Sequence, residues 1–494
     1  MQKIDVLERK TCLPPLAWAL SLGETVRLVC GSGVDIGDQA FFEGAWCGEF
    51  DTFRFDLAHE VFGTGARLTP EGWLMVPPSH PLECIYVLHD VEKKWHASNS
   101  LAFLAAITDF DFLSYNRDLA KRLVSIVTGV PPFPFSIKTS KGTLYLLYSD
   151  NALLSSTIEI RPKAATPDFR TFEDYRNYLH DVCKAAAANA RNPHRIKAYE
   201  LLCSLSSGYD SAASAVLAKE CGCNKAMTFS PFEGGIDDSG AKVAHVLKLN
   251  VIERQRPRTD EGYESYTPEF FSNGTQGEEV IFAAFGDILQ GSLFVGGFHG
   301  DRIWDMRFPP DSNLVTESLS GTTLGEFRLE KNFFQLPLPF VGARNHAAVK
   351  NISNSDDMKP YSIGGDYDRP IPRRILESEG VPRDWFGLSK KYIAQDCYRD
   401  LSLLSPEVKK LVLAQGPNDI KYYFDLARYL IGMALFDYER RIEAVLLKDY
   451  SRHFKIVTAL VGSPFCVFRK THPFMVKTFR WANQAIQARY REAI

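Results

Sequence analysis

The feature that most constrains this chain is a regular alternation of apolar, strand-like runs and helical stretches between residues 199 and 298. It predicts strands at 199–205, 226–230, 251–256 and 292–298, separated by helices at 211–220, 239–249 and 279–290. Such alternation is typical of parallel strands joined by right-handed crossovers. The sequence therefore predicts a doubly wound, mostly parallel α/β sheet, in which ligands bind at the carboxyl ends of the strands.

The flanking regions follow other patterns. Before residue 165, short strands are predicted at 25–30, 72–76, 84–89 and 142–148, and helical periodicity is clear only around 101–108 and 119–127. A helix over 171–191 leads into the alternating region, and long helices are predicted at 422–447 and 474–493. We therefore predict a β-rich α+β domain at 1–165, an α/β domain at 166–394 and a helical C-terminal extension at 395–494.

Composition excludes few functions. The net charge of -3 gives no general attraction to nucleic acid or to a membrane surface. The ten cysteines show neither a disulfide framework nor a zinc-binding spacing. No apolar run approaches the roughly 20 residues that span a bilayer, and residues 1–5 lack a signal pattern. The expected compartment is the cytoplasm.

The turn between the strand predicted at 199–205 and the helix predicted at 211–220 has residues suited to binding an anion. Ser206, Ser207 and Gly208 are small, so their backbone can come close to a ligand, and the N-terminus of the following helix adds partial positive charge. The phosphate loop of γ-phosphoryl-transferring enzymes, G-x-x-x-x-G-K-[ST], occurs nowhere in the sequence. Ser206, Ser207 and Gly208 therefore predict a phosphate-binding loop that differs from the G-x-x-x-x-G-K-[ST] loop.

The segment Ser206-Ser207-Gly208-Tyr209-Asp210-Ser211 resembles the S-G-G-x-D-S pyrophosphate loop of the ATP pyrophosphatases and departs from it only at Ser207. Downstream, 226–230 resembles the strand that borders adenine, and Asp237-Asp238 is predicted to open the next helix. Residues 297–302, Gly-Phe-His-Gly-Asp-Arg, resemble the G-x-G-x-D-E segment. Their order is that of asparagine synthetases and β-lactam synthetases, so the chain resembles this PP-loop family, whose fold is HUP-like.

The resemblance implies ATP and Mg²⁺ as cofactors. It implies that Asp210 and Asp301 are metal ligands. The implied catalytic residues are these two aspartates and Lys390, which lies in the segment Leu388-Ser389-Lys390-Lys391. The implied cofactor-binding residues are Leu205, Ser206, Ser207, Gly208, Tyr209, Asp210, Ser211, Thr228, Phe229, Ser230 and Gly300.

The implied reaction is an adenylation. ATP activates a carboxylate with release of pyrophosphate, and an amine then attacks the adenylate to form an amide. Arg302 stands where the family has Glu, and it suits an anionic group of the substrate; His299 is a second predicted substrate contact. The expected partners are a small-molecule carboxylate and ammonia or another amine, with ammonia drawn from solution or from a separate glutaminase.

The first domain resembles a remodelled class II glutamine amidotransferase. Residues 86–90 and 97–104 are similar to the segments that close that domain in the family. The family's nucleophile is a cysteine at the mature N-terminus, whereas residue 2 here is Gln2 and the nearest cysteine is Cys12. The domain is therefore expected to lack glutaminase activity.

Two other functions stay open. Basic residues interleaved with aromatic ones over 452–491 are compatible with a tRNA-modifying or nucleobase-modifying enzyme of the same fold. We favour a simpler explanation of this pattern, in which Phe474, Phe479 and Trp481 pack in a terminal helix while the basic residues face water. A nucleic-acid partner is therefore not expected, and neither is a membrane partner. The departures at Ser207 and Arg302 also permit a nucleotide-binding regulatory protein without turnover. The sequence does not define the oligomeric state.

Overall fold

The computed structural model describes residues 3–111, 116–130, 133–231, 237–256, 268–273, 277–311, 313–316, 318–365, 367–388, 404–415 and 473–494. None of the helices in these ranges combines the length and the apolar composition needed to cross a bilayer.

The N-terminal region contains two sheets. Their strands are β1 (Val6–Arg9), β2 (Trp18–Leu22), β3 (Val26–Cys30), β4 (Asp35–Gly37), β5 (Ala40–Trp46), β6 (Val61–Leu68), β7 (Trp73–Val76), β8 (Ile85–Asp90), β9 (Trp95–Ser98), β10 (Phe135–Thr139), β11 (Gly142–Leu147), β12 (Asn151–Leu154) and β13 (Ile158–Arg161). The first sheet has the order β1-β3-β2-β9-β8-β11-β10 and the second has the order β13-β12-β7-β6-β5-β4. The prediction of a β-rich first region is confirmed.

The two sheets share one apolar core. Trp18 and Ile85 come from the first sheet, and Phe41, Trp73 and Met75 come from the second. The rings of Trp18 and Phe41 meet edge to face at 4.9 Å. Because alternate side chains of a strand face opposite sides, each sheet also presents an outer face that helices cover.

The α/β region is built on β14 (Glu200–Ser204), β15 (Lys225–Phe229), β16 (Asn250–Arg254), β17 (Ser292–Gly296) and β18 (Phe334–Pro337). All neighbouring pairs are parallel, in the order β16-β15-β14-β17-β18. Leu201 and Cys203 face one apolar cluster, and Leu202 between them faces another. The sheet is therefore covered on both faces, as predicted.

The helices of the described residues are α1 (Leu101–Thr108), α2 (Asn116–Ser125), α3 (Phe172–Ala190), α4 (Tyr209–Glu220), α5 (Ala241–Val246), α6 (Gly286–Leu289), α7 (Gly300–Ile303), α8 (Leu324–Lys331), α9 (His346–Ser353), α10 (Pro370–Ser378), α11 (Pro406–Leu413) and α12 (Pro473–Ala493). A capping box starts α3: the Thr171 hydroxyl accepts from the Asp174 amide, and the Asp174 carboxylate accepts from the Thr171 amide.

Some predicted helices differ from the structure. The stretch predicted over 279–290 is a 3-10 helix at Val280–Phe285 followed by the single turn of α6. The stretch over 239–249 shortens to α5, because Lys248 adopts a left-handed conformation with φ of 55°. The helix predicted at 422–447 lies outside the described residues.

Helix α12 joins the two parts of the molecule. It packs against α1 and α2 of the N-terminal region and against α11. Phe479, Trp481 and Tyr490 are buried, and the Tyr490 ring stacks on Phe103 at 4.4 Å. These aromatic rings contribute to the core, so they are not available for stacking on nucleic-acid bases.

A buried ion cluster also connects the regions. The guanidinium of Arg328, in α8, donates to both carboxylate oxygens of Glu43 in β5 at 2.7 and 2.8 Å. It also pairs with Glu83 at 2.7 Å. Breaking a buried pair of this kind leaves an uncompensated charge, which costs about 3–5 kcal/mol. The N-terminal and α/β regions are therefore held in one fixed arrangement.

Glu326, two residues before Arg328 in α8, lies at the same junction. Its Oε1 accepts hydrogen bonds from Tyr490 at 2.7 Å and from Ser100 at 3.1 Å. Burial raises the pKa of Glu326 from its ordinary value of 4.5 to about 7, although both hydrogen bonds oppose the rise. Ionisation of Glu326 therefore works against folding near neutral pH.

The substitution Glu326→Gln should remove this penalty, since the amide oxygen can still accept both hydrogen bonds. The wild type should lose stability as pH rises from 4.5 to 7, because the folded state holds the Glu326 proton longer than the unfolded chain. The variant should thus gain up to about 3 kcal/mol over wild type between pH 4.5 and pH 8. Urea unfolding at several pH values measures this gain. Glu330→Gln, at an exposed position of α8, is the matched control; a pH-independent difference for Glu326→Gln would contradict the expectation.

Candidate active site

The predicted phosphate loop lies at the point where the strand order of the parallel sheet reverses. The chain leaves β14 at Ser204, forms the loop and enters α4 at Tyr209. The neighbour of β14 on the other side is β17, with Leu201 opposite Leu293. Loops that follow two such strands lie at the same edge of the sheet, where ligands of open α/β sheets bind. The two segments that carry the family resemblance therefore meet at one place.

Hydroxyl groups hold the loop in shape. The Ser206 amide donates to the Ser211 hydroxyl at 3.1 Å, and the two serine hydroxyls are 2.8 Å apart. The Gly208 amide donates to the Ser206 hydroxyl at 3.2 Å. The loop leads directly into the first turn of α4, where the helix N-terminus carries partial positive charge.

Ser207, the departure from the family motif, ties the loop to its neighbour. Its hydroxyl donates to Asp238 Oδ1 at 2.8 Å, and its amide donates to the Asp238 carbonyl at 3.1 Å. The prediction that Asp237-Asp238 opens a helix is wrong, since α5 begins at Ala241. Asp238 instead contacts the loop beside the isolated bridge between Ser206 and Ser239.

The residues predicted to border adenine lie at the end of β15. Thr228 is buried and its hydroxyl accepts from the Gly240 amide at 2.9 Å. The Phe229 ring packs edge to face on Phe285 at 5.0 Å. The Ser230 amide donates to the carbonyl of Arg254 at 2.9 Å. Leu205 is buried, so only its backbone can serve the predicted nucleotide contact.

The second predicted segment lies directly against the first. A Cβ atom on Gly297 would lie 2.4 Å from the Ser211 nitrogen, and one on Gly300 would lie 2.4 Å from Asp210 Cγ. Both distances are shorter than any real contact, so only glycine fits at either position. His299 between them has a left-handed backbone with φ of 63°. The two loops thus approach each other as closely as their backbones allow.

Asp210 is paired with an arginine from far along the chain. Its Oδ2 lies 2.5 Å from Nη1 of Arg369, and Arg369 Nε lies 3.7 Å from Asp305 Oδ2. The guanidinium stacks over the Tyr367 ring at 4.6 Å. Burial opposes the charge of Arg369, but Asp210, Tyr367 and Asp301 outweigh it and raise the pKa of the guanidinium.

The predicted magnesium ligands do not form an open carboxylate pair. Asp210 is engaged by Arg369, and Asp301 is close enough to the same guanidinium to raise its pKa. Across the described ranges, no group of three or more His, Cys, Asp or Glu side chains is arranged to hold a metal ion. Mg²⁺ in nucleotide sites usually binds one or two carboxylates together with waters and phosphate oxygens. The carboxylate that it would need here, that of Asp210, is the one that the Arg369 guanidinium occupies.

The predicted substrate residues are both buried. The Arg302 guanidinium lies 4.4 Å from the Phe308 ring centre and 3.9 Å from Asp311. His299 Nε2 lies 2.7 Å from the Ser320 carbonyl oxygen. Burial lowers the pKa of His299, which favours the neutral imidazole. The structure brings both residues next to Asp301, with their side chains directed into protein contacts.

Lys390 lies outside the described residues, so its predicted role stays a prediction. The last described residues before Lys390 do contact the loop at 206–211. The Gly387 amide donates to the Ser207 carbonyl at 2.9 Å, and a Cβ on Gly387 would lie 2.3 Å from the Tyr209 ring. Leu388, the next residue, is 70% exposed. Gly387, one residue before the end of this described stretch, therefore contacts the loop at 206–211.

Sequence reasoning missed Arg369 and Tyr367. They occur in Tyr367-Asp368-Arg369-Pro370, where Pro370 occupies the first turn of α10. The proline indicates a helix start, but nothing in the pattern indicates that the preceding arginine contacts Asp210. Only the packing of α10 against α4 makes that contact.

The comparisons with known proteins add no family assignment. No protein-family model matches the chain, and no curated protein matches it. The resemblance to the ATP pyrophosphatases therefore rests on the motifs and on the place that they occupy in the fold.

Replacing Gly300 with alanine tests the contact between the loops. The added methyl group would overlap Asp210, so the loops must separate, and we expect a loss of about 1–3 kcal/mol of stability. Nucleotide affinity should fall at least tenfold if the site needs both loops, as calorimetry can measure. Gly325→Ala is the control, because its Cβ would lie 3.8 Å from the nearest atom. Unchanged melting and affinity for Gly300→Ala would refute the contact.

Proposed function

We propose that this protein is an ATP-dependent ligase that activates a substrate carboxylate as an adenylate and passes the acyl group to ammonia or another amine. One observation carries the proposal. Two segments that resemble the ATP-pyrophosphatase motifs, at 206–211 and 297–302, are in van der Waals contact at the switch point of a parallel sheet. Ligands of such sheets bind at this place.

The proposed reaction has two steps. A carboxylate oxygen attacks the α-phosphorus of ATP, and the bond to the β-phosphate oxygen breaks with release of pyrophosphate. The amine nitrogen then attacks the carbonyl carbon, AMP leaves with the bonding electron pair, and the nitrogen loses a proton. A carboxylate is a poor electrophile, and adenylation gives it a good leaving group.

The residues divide this work between them. The N-terminus of α4, which favours negative charge, is proposed to bind the pyrophosphate portion together with the loop at 206–208. The end of β15, at Thr228–Ser230, is proposed to border the base. Lys390 is proposed to stabilise the oxyanion that forms on the α-phosphate or on the attacked carbonyl. Arg302 and His299 stay predicted contacts of the acid, and binding it requires both side chains to leave their present protein contacts. No step is derived through Mg²⁺, because the described carboxylates do not offer it an open pair.

The class of the acid differs from that of asparagine synthetases in this proposal. Arg302 replaces the acidic residue that follows the motif aspartate, and a guanidinium favours a second anionic group. The proposed amine is ammonia from solution, ammonia from a separate glutaminase, or another amine, including one within the substrate itself.

A pyrophosphate-release assay tests the proposal. The protein is incubated with ATP, Mg²⁺, ammonium or a primary amine, and a panel of mono- and dicarboxylic acids. At least one acid should release pyrophosphate and AMP in equal amounts. Lys390→Ala should reduce the rate by about 100-fold or more, because it removes a positive charge proposed to stabilise the transition state. Asp210→Asn should also reduce the rate, because it removes the partner that holds Arg369 in place. Lys359→Ala, at an exposed lysine, is the control. Absence of both pyrophosphate release and ATP binding would refute the proposal.

A nucleotide-binding regulatory protein is the second candidate. The observation that favours it is the pairing of Asp210 with Arg369, which occupies a carboxylate that the family uses for catalysis. The same assay separates the candidates. ATP binding without pyrophosphate release for any acid, together with biological activity that survives Asp210→Ala and Lys390→Ala, would favour the regulatory protein.

A further inference from the structure

Arg369 occupies the position at which the family resemblance places a metal. We propose that its guanidinium is the resident cation of this site and binds the phosphates of the nucleotide, so that nucleotide binding does not require a divalent metal. This inference rests on the proposed function, because it concerns the same site. It assigns a role to a residue that no sequence motif indicated.

The guanidinium is fixed from several sides. Nη1 lies 2.5 Å from Asp210 Oδ2 and Nε lies 3.7 Å from Asp305 Oδ2. Tyr367 and Tyr209 flank it, with ring centres at 4.6 and 5.8 Å. Pro370, the next residue, begins α10. The arginine is therefore a preorganised charge that needs no ordering when an anion arrives.

The chemistry of arginine suits this role. A guanidinium has five N–H donors in a planar fork that matches phosphate oxygens. The bond to Asp210 uses one edge of the fork. Asp210 is in the first turn of α4, so the charge of Arg369 adds to the partial positive charge of the helix N-terminus. Both favour an anion beside the loop at 206–211.

The same arrangement disfavours a divalent ion between the two aspartates. Mg²⁺ on Asp210 would lie beside the guanidinium, and the like charges would repel in a poorly solvated environment. Gly300 closes the other side of Asp210, because even a methyl group does not fit there. Asp305, the other acidic neighbour, is fully buried and pairs with Arg307 at 3.0 Å.

Isothermal titration of the 494-residue chain with ATP and with pyrophosphate tests the inference, in EDTA and in Mg²⁺. Wild type should bind in EDTA with an affinity within about threefold of that in Mg²⁺. Arg369→Gln should lose at least tenfold in EDTA, and Arg369→Lys should recover part of the loss because it restores the charge. Arg374→Gln is the matched control, since Arg374 lies in α10, the helix that follows Arg369 directly, and pairs with Glu173.

A second variant separates binding from folding. Arg369→Gln combined with Asp210→Asn leaves no unpaired charge at this pair, and it should fold and still fail to bind in EDTA. Strictly Mg²⁺-dependent binding that Arg369→Gln leaves unchanged would overturn the inference and keep the proposed function. Tighter Mg²⁺-dependent binding by Arg369→Gln would also overturn it, because Arg369 would then obstruct the metal. No binding of ATP in either condition would remove the proposed function and the inference together.

Discussion

The contact between Asp210 and the glycines at 297 and 300 is the constraint on which the site depends. Strand order reverses between β14 and β17, so the loops after these strands emerge side by side. The second loop reaches the first turn of α4 only because it presents no Cβ atoms there. This contact fixes Asp210, and Asp210 in turn fixes Arg369. A side chain at either glycine would separate the two halves of the crevice.

Charge balance is the second constraint. Arg369 and Asp305 are buried, where an unpaired ion is costly, and Asp210 beside them is partly buried. Each of these charged groups lies next to a group of opposite charge. Elsewhere the same rule holds for Arg328, whose two glutamate partners join the N-terminal sheets to the α/β region. Buried pairs of this kind specify one arrangement of the parts.

Local patterns predicted the parts of the fold that local residues control. Alternating apolar runs indicated the parallel strands, and the small residues at 206–208 indicated the turn before α4. Contacts between distant segments left no such pattern. Arg369 meets Asp210 across 159 positions, and Ser207 meets Asp238 across 31. The stretch 279–290 had helical periodicity, but half of it forms a 3-10 helix, whose period is close to that of an α-helix.

The central claim is that the crevice between the loops at 206–211 and 297–302 binds ATP. A crystal structure of the protein with a non-hydrolysable ATP analogue tests it most directly. The account predicts phosphates against the first turn of α4, the base beside the end of β15 at Thr228–Ser230, and the Arg369 guanidinium on a phosphate oxygen. An analogue bound at another place, or an empty crevice at saturating analogue, would contradict the account.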